Sequence, residues 1–171
     1  MVFIILLVVP GCLLVRTTEH IITLREDGSG EAVLHLIDIR SDASSDSLVM
    51  RDFNELMTVY GSKRIPEFEK YGRTVTAKRL RVRGDTLMAE ITYAFLSTEA
   101  IDGLRVTRDE ISFTFSEERE VLRTNGSTSR TDNQETRIVW PRDAKRLVYE
   151  VREKALPPSV SIVPLYRKHV H

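Results

Sequence analysis

The sequence predicts an α+β domain, with a mainly antiparallel sheet of about eight strands and one main helix plus short helices covering one face. Short apolar runs with period-two alternation recur along the chain, and turn residues separate them. Only one segment long enough for a substantial helix carries apolar residues at helical spacing. With 171 residues, 42% of them apolar, the chain suffices for one domain with an ordinary core.

Between residues 19 and 39, two β-rich runs flank Asp27-Gly28-Ser29-Gly30, a turn of the kind that joins antiparallel strands through positive φ angles. A hairpin is expected there. Its second run, residues 32–39, is apolar on both faces, as a covered central strand would be. The cover is the segment 46–60, where Val49, Phe53, Leu56, Met57 and Tyr60 fall on one face of a helix. Asp46 can cap its start and Gly61 its end. A helical turn over residues 67–71 then precedes a strand at 74–83, which turns at Gly84-Asp85 into a strand at 86–96. In the latter, Leu87, Ala89, Ile91, Tyr93 and Phe95 share one face, so one side of the sheet meets the core. A short helix opens at Ser97. Strands are expected at 110–116, 120–124, 135–140 and 147–151, with a polar loop at 125–134. Trp140, at a strand end before a tight turn, reads as a core anchor. Residues 153–171 hold Pro157, Pro158 and Pro164, which exclude a long helix and predict an extended tail.

The 25 Lys plus Arg balance the 25 Asp plus Glu, so no overall field draws the chain to nucleic acid. A single cysteine, Cys12, permits neither an internal disulfide nor a cysteine metal cluster. His169 and His171 are close in sequence but lack a third ligand nearby, and His20 and His35 read as half-exposed residues across the first hairpin, so no metal site is expected. The chain contains no Gly-x-Ser-x-Gly elbow and no phosphate-binding glycine loop, and Asp38 with Asp42 is a pairing any acid-rich chain offers. The expectation is no catalytic residue, no cofactor and no enzyme. Lys78, Arg79, Arg81 and Arg83 form a basic strand that Arg73 and Arg105 could extend. That strand has two readings: contact with anionic lipid or lipopolysaccharide, or a charged edge that resists aggregation. Arg83-Gly84-Asp85 matches a tripeptide that adhesion receptors recognise, yet it is also ordinary turn chemistry.

Residues 2–9 read VFIILLVV, too short for a spanning helix of about 20 residues and suited to a signal-peptide core. Val9, Gly11 and Cys12 follow, with Pro10 where alanine or serine is usual, and from Arg16 the chain becomes polar. This pattern resembles the lipobox of bacterial lipoproteins. The resemblance implies cleavage before Cys12 and acylation of its thiol, palmitate included; Leu13 after the cysteine, rather than aspartate, implies sorting to the outer membrane. Two other readings of residues 2–9 stay open: a buried first strand, and an uncleaved anchor. The implied organisation is a signal peptide at 1–11, a lipidated tether at 12–18, the α+β domain at 19–152 and the tail. With its Asp-Gly-Ser-Gly hairpin, central helix and Trp140-to-Tyr149 segment, the domain is similar to uncharacterised bacterial envelope lipoproteins, a likeness that supplies no functional residues. The expected function is a membrane-tethered, non-catalytic module facing the periplasm and binding an envelope protein. Its rivals are a periplasmic enzyme with polar groups converging in a pocket, and a soluble domain whose first strand is residues 2–9.

Overall fold

The computed structural model describes residues 13–170; the expected signal segment, Cys12 and His171 lie outside the described residues. Among the described residues eleven strands occur: β1 (Leu13–Leu24), β2 (Gly30–Ser41), β3 (Arg73–Arg83), β4 (Thr86–Phe95), β5 (Arg105–Val106), β6 (Glu110–Phe115), β7 (Arg119–Thr124), β8 (Ser127–Arg130), β9 (Thr136–Pro141), β10 (Arg146–Glu153) and β11 (Val160–Ser161). The helices are α1 (Asp46–Gly61), α2 (Pro66–Lys70) and α3 (Val163–His169), with a 3-10 turn at Thr98–Ala100. Every described strand pairing is antiparallel.

The strands form two sheets rather than one. The larger runs β3-β4-β2-β1-β10-β7, with β11 pairing the end of β2; the smaller runs β5-β6-β9-β8. All the expected strands are present. The three that were not expected gave no apolar signal: β5 and β11 are two residues long, and β8, inside the expected polar loop, is exposed at every position. The turn after Trp140 carries the chain from the smaller sheet to the larger, since β9 and β10 belong to different sheets.

Two boundaries need correction. Residues 13–18 are not a tether: they are the first half of the central strand β1, with Leu13 buried and paired to Ser41. Nor is the C-terminal tail extended. It returns through β11 to β2 and ends in α3, whose Pro164 sits in the first turn, where a missing N–H costs nothing. Ile162 and Val163 are buried there.

Alternation sets the core. Ile22 and Leu24 of β1, Ala32 and Leu36 of β2, Leu87 to Phe95 of β4, and Leu147, Tyr149 and Val151 of β10 point to one face of the large sheet. Burying a side chain such as Ile22 completely stabilises the fold by about 2–3 kcal/mol. Two layers share the cover. Helix α1, with Leu56, Val59 and Tyr60, and α2, with Phe68, lie over β3 and β4. The smaller sheet lays Phe113, Phe115 and Trp140 against Tyr149, the first two with ring centroids at 5.1 and 5.2 Å. Trp140 is the anchor expected of it; its indole N–H donates to Asn125 at 2.8 Å.

Strand β2 is central but covered on one face only, against expectation. Its apolar residues on both sides have another origin. Asp38 takes φ 60 and switches the alternation, so Leu36 and Ile39 both face inward while Val33 and Ile37 lie half-buried on the open side. Asp is one of the residues that tolerates this conformation, and Arg16 holds its carboxylate at 2.8 Å. Residue Ser45, not Asp46, is the N-cap of α1, and Asp46 instead lends its charge to the first turn.

Candidate functional site

The expected basic strand is divided by the sheet. Lys78 faces the core side, where its ammonium donates to the carbonyls of Val59, at 2.8 Å, and Ser62. It closes the C-terminus of α1, and burial lowers its pKa. Lys78 therefore leaves the expected surface patch. Arg79, Arg81 and Arg83 remain exposed on the other face of β3, an edge strand, and make no ion pair among the described residues. Arg105 sits in the smaller sheet, and Arg73 is buried. Gly84 takes φ 58 at the hairpin tip and its carbonyl accepts from Arg167 at 2.8 Å, so turn chemistry accounts for the Arg-Gly-Asp sequence. His169 ends α3 with its ring edge-on to Phe53.

His20 and His35 are not equivalent half-exposed residues. His35 lies on the open face in a row that crosses six strands in register: Arg79, Glu90, His35, Glu19, Glu150 and Arg123. Its ring nitrogens meet Glu19 at 2.6 Å and Glu90 at 3.2 Å. Arg123 also pairs with Glu19 and lies 3.7 Å from Glu150. Half-buried Val33, Ile21 and Ile37 flank this row.

His20 is buried in the core, where the helical layer meets the smaller sheet. Its Nδ1 lies 2.9 Å from the Tyr149 hydroxyl and its Nε2 2.7 Å from the Tyr93 hydroxyl. Burial, and next the charge of Arg73, lower its pKa to about 3, so the ring is neutral. A neutral imidazole donates at one nitrogen and accepts at the other. The Arg73 cation beside Tyr93 favours that hydroxyl as the donor; Nε2 then accepts, and Nδ1–H donates to Tyr149. Burial pushes both tyrosines up, against the pull of Arg73 in the case of Tyr93.

This polar chain ends at Arg73. Its guanidinium stacks among Phe68, Tyr71 and Tyr93, at 4.6, 5.2 and 5.7 Å from the ring centres. Nε and Nη2 are sealed from solvent and have no hydrogen-bond partner. Arg73 also lines a surface cleft of about 480 Å³ between α2 and the ends of β3 and β4, with Arg64, Glu69, Phe95 and Leu96. The cleft brings the Arg73 side chain to its wall and the exposed Leu96 to its rim. A second buried pair, Ser41 donating to Asp52 at 2.5 Å, ties β2 to α1.

Sequence reasoning grouped Arg73 with a surface patch and did not connect it to His20, Tyr93 and Tyr149. No signal for this was available in the sequence: Arg73 shares its parity with the outward Arg79, Arg81 and Arg83, and the bulge between Val75 and Ala77 turns it inward. The tyrosines and His20 come together only through the pairing of β4 and β10 around the hairpin, which sequence spacing does not show. Searches of protein-family models, curated proteins and solved structures each return no match.

Proposed function

We propose that this protein is a lipid-tethered, non-catalytic binding module of the bacterial cell envelope that displays the Arg73 cleft away from the membrane. The carrying observation is the placement of two residues at opposite ends of one sheet. Leu13, next to Cys12, starts β1 and pairs with Ser41; at the far end, Leu24 pairs with Gly30, Gly30 with Phe95, and Phe95 with Arg73. Eleven residue steps separate these rows, about 36 Å at strand geometry. Acyl chains on Cys12 would hold the first end against the bilayer with almost no intervening chain. The cleft would then face the periplasm or the exterior, where a soluble or envelope-bound partner can reach it. A lipid anchor with several chains gives a long-lived attachment, since each buried CH₂ adds about 0.8 kcal/mol. We read the domain as α+β because α1 and α2 supply half of the cover over the large sheet.

The test is the intact mass of the protein from bacterial membranes, with and without Cys12→Ala. Loss of residues 1–11 with added acyl mass that vanishes in the variant supports the tether. An unmodified full-length chain overturns it and returns residues 2–9 to the first-strand reading.

A further inference from the structure

On the reading of the Arg73 cleft as the binding surface, and independently of the tether, we infer that this cleft binds a carboxylate carried on an apolar body. Arg73 is 8% exposed, and both N–H groups on one edge of its guanidinium, Nε and Nη2, lack a partner. Buried donors without acceptors lose their hydration and gain nothing in return. Two of them side by side on one planar fork match the two oxygens of a carboxylate. No acid among the described residues fills the place: Glu69, in the same cleft, is held by Arg64 at 3.3 Å.

The surroundings select the rest of the ligand. Leu96 stands at the rim 87% exposed, beside Ala94 and Phe95, an apolar surface with nothing on it. Of the three rings around the guanidinium, Phe68 and Tyr93 are locked in the core while Tyr71 is 40% exposed. Because Nε and Nη2 are sealed from solvent, binding requires one ring to move, and Tyr71 is the one exposed enough to swing aside and lie along the apolar body. Inorganic phosphate would satisfy the charge but leave Leu96 and Tyr71 in water. An apolar chain ending in a carboxylate uses both. A free carboxylic acid and the C-terminus of a peptide with an apolar last residue share this chemistry.

The experiment is isothermal titration of the full chain carrying Cys12→Ala with octanoate and with an acetylated pentapeptide ending in leucine. Each is paired with its neutral amide. At least one carboxylate is expected to bind with Kd below about 1 mM, and its amide at least tenfold more weakly. Whichever of the two binds identifies the source. Arg73→Lys keeps the cation without the fork and should lose at least tenfold in affinity. Arg73→Met keeps an apolar side chain of similar length among the rings without the charge and should abolish binding. Binding of neither carboxylate, equal binding of the amides, or full affinity in Arg73→Lys or Arg73→Met would each overturn the inference.

Discussion

His20 and His35 sit in adjacent rows of one hairpin and face opposite sides of the large sheet, and the two faces treat the same side chain differently. On the core face the imidazole is neutral and shares its nitrogens between two tyrosine hydroxyls. On the open face it lies between the carboxylates of Glu19, at 2.6 Å, and Glu90, at 3.2 Å. Water explains the difference. A charge on the His20 ring would lose its hydration in the closed layer between α2 and the smaller sheet and would stand near the Arg73 cation, so the ring stays neutral and meets neutral hydroxyls. The open face keeps solvent at hand and tolerates a row of ions.

Acid exposes this contrast most strongly. With its folded pKa lowered from 6.5 to about 3, His20 refuses a proton that the unfolded chain accepts. Its contribution is therefore fully present above pH 6.5 and is lost as pH falls towards 3, an effect of about 5 kcal/mol. Urea denaturation of the parent and of His20→Gln between pH 7 and 3 checks it. The parent should lose stability more steeply, and identical acid limbs would mean that the ring reaches solvent.

Neighbouring isoleucines sharpen the comparison. Ile22 is fully buried and Ile21, one residue earlier, is half-buried on the other face. Ile22→Ala should cost about 2–5 kcal/mol and Ile21→Ala about 1 kcal/mol or less, by urea denaturation. An Ile21→Ala cost as large as that of Ile22→Ala would show that the open face is covered too. The polar chain predicts an intermediate effect. Tyr149→Phe removes the partner of His20 Nδ1 and should cost about 1–3 kcal/mol, with little change in the volume of the core.

Much of this contrast was legible in the sequence. The period-two run of β4 identified its inward face, and every strand with a strong apolar signal was found. Three kinds of residue were not legible. Exposed β8 and the short strands β5 and β11 depend on pairing partners rather than on their own composition. Residues 13–18 read as part of a tether beyond a processing boundary, although β2 recruits them into the sheet. Arg73 shares a composition signal with Arg79, Arg81 and Arg83, and only the bulge between Val75 and Ala77 separates its inward position from their outward one. The candidate site was missed for the same reason: His20, Arg73, Tyr93 and Tyr149 lie on four strands that converge only in the fold.

The smallest expected effect lies in the ion row. His35 and Glu19 are only 17% and 13% exposed at their side chains, and 2.6 Å apart, a geometry that looks strong. Yet the row opens on solvent through Arg123, which is 62% exposed, and water competes with every pair in it. A double-mutant cycle of His35→Gln and Glu19→Gln should therefore give a coupling of about 1 kcal/mol or less at low salt. Raising NaCl should shrink it, since charges that reach solvent are screened over about 10 Å at 0.1 M. A coupling above about 2 kcal/mol that salt leaves unchanged would mean the row is shut off from water. The open face would then be an interface, and the contrast between the two histidines would be one between two buried environments, one lined by hydroxyls and one by carboxylates.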